Sequence, residues 1–158
     1  MTVSKHALGH MAGLARTTED TFLLMAGDTC HFAGVFRPSS GVTLPETVPK
    51  SVSLPSRFNR PCPSSTFSCL HPKLDKATCS PFYEISKQKG GWYVEPDAAQ
   101  QSADSLQEFD TSDSVLVLLA HDTALVDVVE QFPKQNINQW KEKGYKERFA
   151  WNFLGELC

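Results

Sequence analysis

The chain has 158 residues, 41% of them hydrophobic and 21% charged, with a formal net charge of −3, a balance that suits one globular domain with its own core. No basic surplus is present to hold nucleic acid or an anionic membrane surface, and no apolar run approaches the roughly 20 residues of a membrane helix. The opening MTVSKHALGH lacks the apolar centre of a secretory signal, and five cysteines without a CxxC pair predict free thiols in a reducing, cytoplasmic setting.

Residues 10–28 read as a β-hairpin. A short mixed strand from His10 to Thr17 leads through a polar turn at Glu19-Asp20 into a buried strand, Thr21 to Ala26, bounded by Gly27. Residues 37–92 hold Pro38, Pro45, Pro49, Pro55, Pro61, Pro63, Pro72 and Pro81 among many serines. Proline removes a backbone donor and fixes φ, so this stretch is expected to be irregular, with short helical turns at best. An insertion of this length belongs either beside a substrate or in partly disordered chain. Asp97 is the expected N-cap of a helix to Phe109, with Ala99, Ala103 and Leu106 on one face. Ser114 to Ala120 is an apolar run expected as a strand buried on both faces. Residues 123–132 predict a second helix with Leu125, Val126, Val128, Val129 and Phe132 toward the core. A short helix follows Asn138 and stops at Gly144, and a last one from Lys146 repeats Phe149, Phe153 and Leu157. This order implies an α/β fold with a mixed sheet covered by helices.

Metal-capable side chains stand at three places. Asp28 follows the buried strand and Gly27; a carboxylate there needs a partner, either a metal ion or the backbone of the turn it caps. His121 ends the second apolar strand, ahead of Asp122, which is a helix cap or a hydrogen-bond acceptor for a histidine ligand. His6 and His10 precede the hairpin, with Gly9 and Gly13 nearby. Cys69, His71 and Cys79 also carry zinc-ligand side chains, at irregular spacing. Arg37 is either a contact for an anionic group or a solvated loop residue. Trp92 and Tyr93, after Gly90-Gly91, are packing anchors or part of an irregular binding surface.

Taken in order, His6-Ala-Leu-Gly-His10, Gly27-Asp28-Thr-Cys-His31 and Ala120-His121-Asp122 resemble the third, fourth and fifth metal motifs of the metallo-β-lactamase superfamily, and its fungal members above all. The resemblance implies the C-terminal half of an αββα sandwich. Residues 1–158 then form a partial domain interrupted by the insertion at about 37–92. It implies His6 as a ligand of one zinc, Asp28 as the carboxylate shared by two, and His121 as a ligand of the second. His10 and His31 stand within four residues of these positions as substitute ligands. Where the family has Pro-Gly before the first histidine this chain has Ser4-Lys5, and no HxHxDH string occurs in it. The implied activity is hydrolysis of an ester, thioester, lactone or amide in a small molecule by zinc-activated water. With the first motif missing, the expectation is a truncated, weakly active or inactive hydrolase that pairs with itself or with a complementary half-domain. The alternative is a non-catalytic remnant or an interaction module built on residues 37–92.

Overall fold

The computed structural model describes residues 9–126, 128–129 and 133–157. The hairpin forms as β1 (Gly13–Arg16) and β2 (Phe22–Gly27), antiparallel, with Gly13 opposite Met25 and Arg16 opposite Phe22. Its turn closes through the amides of Thr17 and Thr18, both donating to the Thr21 carbonyl. The second apolar run forms β3 (Val115–Leu119), parallel to β2, and completes a sheet of order β1-β2-β3.

Side chains alternate across this sheet with the period of two that a pleated strand imposes. Leu24 and Ala26 of β2, with Val115, Val117 and Leu119 of β3, enter one hydrophobic cluster. Leu23 and Leu116 enter another, with Trp140, Tyr145 and Phe149. β3 is thus covered on both faces, which is why it reads as an unbroken apolar run.

Among the described residues three α-helices accompany the sheet: α1 (Ser65–Ser68), α2 (Pro96–Thr111) and α3 (Tyr145–Phe149). Ala99, Ala103, Leu106 and Asp110 are the buried residues of α2, a stripe at helical spacing that packs against β3. The cap expected at Asp97 is displaced. Glu95 occupies the N-cap position without a side-chain capping bond to the helix, Pro96 opens the helix, and Asp97 in the first turn pairs instead with Lys87 at 2.7 Å.

Residues 37–92 contain only α1, a 3₁₀ turn at Leu74–Lys76 and an isolated bridge between Thr47 and Pro63. They are nevertheless part of the core. Leu44, Val48, Val52, Cys62, Phe67, Phe82 and Ile85 join the cluster beneath β3. Arg60 holds the irregular backbone by donating to the carbonyls of Pro49 at 3.0 Å and of Val52. Arg37 is neither a substrate contact nor a solvated residue. It is 1% exposed, and its Nε donates to Asp110 Oδ2 at 2.7 Å and its Nη1 to the Ala150 carbonyl at 3.1 Å.

The carboxy-terminal helices differ most from expectation. After β3 a single 3₁₀ turn, Thr123–Leu125, forms, and the amides of Val128 and Val129 then both converge on the Leu125 carbonyl instead of stepping along a helix. Residues 127 and 130–132 of the expected helix lie outside the described residues. Residues 138–144 form successive turns, and Gly144, at φ +61°, starts α3 rather than ending a helix. Beyond Phe149 the chain breaks at Ala150–Trp151 and continues as a 3₁₀ segment, Asn152–Leu157. The break lets Phe149 fill one cluster and Phe153 the other, which one straight amphipathic helix could not do. Lys146 Nζ donates to the carbonyls of Ser112 and Val115 at 2.7 and 3.1 Å, tying α3 to the start of β3. Its burial pulls its pKa below the ordinary lysine value.

Candidate metal centre

Asp28 and His121 meet because β2 and β3 run parallel. Gly27 stands opposite Leu119, and the Ala120 amide donates to the Gly27 carbonyl at 3.0 Å, so both chains leave the sheet side by side at their carboxyl ends. This is where open α/β sheets gather ligands. His121 Nε2 lies 3.2 Å from Asp28 Oδ1.

The turn after β2 aims Asp28. Gly27 adopts φ +57°, and a Cβ there would lie 2.6 Å from His10 Nε2. That nitrogen accepts the Asp28 amide at 2.8 Å. Glycine is therefore required twice, for the left-handed backbone and for the close approach of the imidazole. Thr29, fully buried, turns its hydroxyl back to the Ala26 carbonyl at 2.7 Å and locks the turn. Cys30 also points into the core, where burial pushes its thiol up to about 12. Its sulfur is not among the ligand atoms that converge at the site.

His31, three residues after Asp28, returns to the same surface. Its Nε2 is 4.0 Å from Asp28 Oδ1, and its ring stacks on His121 with centroids 5.4 Å apart and planes at 17°. Its Nδ1 is 2.9 Å from the Tyr93 hydroxyl, and the edges of Trp92 and Tyr93 pack on it. Burial raises the Tyr93 phenol to about 12, so it remains neutral. An open cavity of about 410 Å³, lined by His31, Gln88, Trp92 and Tyr93 among others, adjoins the cluster.

Ligand atoms of Asp28, His31 and His121 all lie within 4.8 Å of one another. Asp28 Oδ1 is buried and accepts no hydrogen bond. His121 Nε2 at 3.2 Å is an ion-pair partner for it only when protonated; a cation would satisfy the oxygen with both imidazoles neutral. Two imidazoles and one carboxylate form a donor set suited to a divalent transition metal, so these residues fit the group their motifs imply.

Of the residues singled out in the sequence, Asp28, His31 and His121 come together, and His6 lies outside the described residues. His10 is not in the cluster and holds the Asp28 amide. Asp122 accepts from the Ala124 amide at 3.0 Å and caps the 3₁₀ turn, with burial raising its pKa. Cys69 and Cys79 are exposed, while His71 is buried, accepts the Lys73 amide at 2.9 Å, and faces the Pro81 carbonyl at 2.8 Å. No zinc site forms there among the described residues. Sequence reasoning did not place Tyr93 beside His31; the one local signal was an aromatic pair following Gly90-Gly91.

No protein-family model and no solved structure matches the chain. Curated proteins do. The chain is 38% identical over 96% of its length to "Gamma-lactamase FDB1" of Fusarium pseudograminearum, covering 36% of that protein. It is 36% identical over 96% of its length to "Metallo-hydrolase mfmC" of Annulohypoxylon moriforme, covering 38% of it. A third relative, "Gamma-lactamase MBL2" of Gibberella moniliformis, is 41% identical over 64% of the chain and covered to 41%. The chain thus spans less than two fifths of the length of the first two proteins. Its motif residues and this near-complete alignment agree: the chain belongs to the metallo-β-lactamase family, among its fungal members.

Proposed function

We propose that the chain is part of a metal-dependent hydrolase that opens an ester, thioester, lactone or amide bond in a small molecule, with Asp28 and His121 in its metal centre. The observation that carries this reading is the convergence of the two side chains at the ends of parallel strands, with Asp28 Oδ1 buried and unsatisfied. Zinc bound there would supply Lewis acidity and lower the pKa of a water ligand to about 7. His10 fixes the Asp28 backbone and thereby the direction of its carboxylate. His31, Trp92 and Tyr93 form the wall that a substrate in the adjoining cavity would touch. His6 is the further ligand the motif implies, and segments beyond these 158 residues would supply the rest in a protein as long as the relatives.

Two relatives are named gamma-lactamase, which makes a five-membered cyclic amide the first substrate class to test. The interaction-module reading is weakened by the burial of Leu44, Val48, Phe67 and Phe82 in the core, since those side chains hold the fold together. The test is hydrolysis of a panel of γ-lactams, lactones and aryl esters by the zinc-loaded chain. Weak turnover at most is expected, and Asp28→Ala and His121→Ala should each abolish it. Turnover unchanged in both variants would refute the metal centre, and a chain that binds no zinc above background would support the non-catalytic remnant.

A further inference from the structure

We propose that His31 is a metal ligand, completing with Asp28 and His121 a two-histidine, one-carboxylate site that lets this chain hold a divalent cation by itself. The inference rests on the reading that Asp28 and His121 belong to a metal centre, and adds a ligand that the motifs do not assign.

Three observations carry it. The first is position. His31 Nε2 faces Asp28 Oδ1 at 4.0 Å while His121 Nε2 approaches the same oxygen at 3.2 Å. Ligands about 2.0–2.2 Å from a tetrahedral ion stand roughly 3.4 Å apart, and all three ligand atoms here lie within 4.8 Å of one another, so modest side-chain adjustment brings both nitrogens and the oxygen onto one ion. The second is orientation. Histidine ligands donate their other ring N–H to an acceptor that fixes tautomer and plane. With a metal on Nε2, Nδ1 would carry the ring proton, and the Tyr93 hydroxyl stands 2.9 Å from it as the acceptor such a ligand needs. The phenol oxygen has lone pairs to accept it. The third is the fate of neighbouring donors. Cys30 turns into the core, His10 Nε2 accepts the Asp28 amide, and Asp122 caps the 3₁₀ turn. Among the described residues no other group of three metal-capable side chains forms.

The spacing explains how the turn achieves this. Asp28 and His31 are three apart, with Thr29 and Cys30 between them directed inward. One tight turn therefore presents two donors to the same point, and β3 delivers the third from the next strand.

The decisive experiment is titration of the metal-free chain with cobalt(II), read by its visible absorption, with zinc competition for affinity. One equivalent is expected to bind. His31→Ala should weaken binding at least 100-fold and change the cobalt spectrum, while its unfolding midpoint in chelator stays within a few degrees of the parent. Tyr93→Phe, which keeps the ring and removes the acceptor, should weaken binding about tenfold. Should His31→Ala perturb folding, His31→Asn and Tyr93→Phe provide the same comparison. Binding abolished by Asp28→Ala and His121→Ala but unchanged in affinity and spectrum by His31→Ala would overturn the role of His31 and leave the centre standing. No binding by the unmodified chain would overturn both.

Discussion

At the scale of single residues, the proposed metal cluster depends on one histidine outside it. The Asp28 amide donates to His10 Nε2, and the backbone reaches it because Gly27 has neither a Cβ nor a steric objection to φ +57°. This contact fixes where the Asp28 carboxylate points, and groups in that position typically change metal affinity 10–100-fold when removed. His10→Ala should therefore weaken zinc binding about tenfold. His10→Gln, whose Oε1 can accept the same amide, should recover most of it. Competition with a chromophoric chelator measures both constants; equal affinity for His10→Ala and the parent would show that the turn holds Asp28 unaided. Sequence placed His10 near the metal ligands but not its role, because the direction of an imidazole depends on a turn formed by residues on the neighbouring strand.

At the scale of elements, what could be read was what local pattern determines. β2 and β3 are short apolar runs with glycine or polar ends, and α2 carries alanines and a leucine at helical spacing. Asp28 and His121 were legible as strand-terminal residues for the same reason. What was not legible came from long-range partners. Phe149 and Phe153 have helical spacing, yet they face different clusters because the chain kinks between them. Arg37 looked like loop surface, yet it reaches Asp110 on α2, far along the sequence. Arg37 and Asp110 are each 1% exposed, so each charge depends on the other in a medium that solvates neither. Asp110→Ala should cost about 3–5 kcal/mol, because it leaves a buried guanidinium without its counter-charge, held by the Ala150 carbonyl and the rings of Phe36 and Phe149. The double variant Arg37→Met/Asp110→Leu should regain most of that loss. Urea unfolding of the three proteins tests the pair. A loss below about 1 kcal/mol for Asp110→Ala would mean that α2 is docked by its apolar stripe alone.

At the scale of the whole molecule, the proposed metal cluster and the fold are one arrangement. Asp28 and His31 follow β2, and His121 follows β3. Between the strands runs the long connection of residues 28–114, which contributes Phe67, Phe82 and the α2 stripe to the core. An unfolded chain has no reason to bring these donors together. A cation that binds the folded state and not the unfolded one stabilises it by mass action, by about 2.7 kcal/mol when its concentration is one hundred times Kd. Zinc at that level should raise the unfolding free energy of the parent chain by about this amount, and excess chelator should return it to the metal-free value. Asp28→Asn keeps the size of the side chain but removes the charge that the buried Oδ1 position brings to the cation. It should unfold at nearly the same urea concentration with and without zinc. A zinc-dependent gain equal in the parent and in Asp28→Asn would show that the ion stabilises the fold from some other point, and that the ends of β2 and β3 do not hold it.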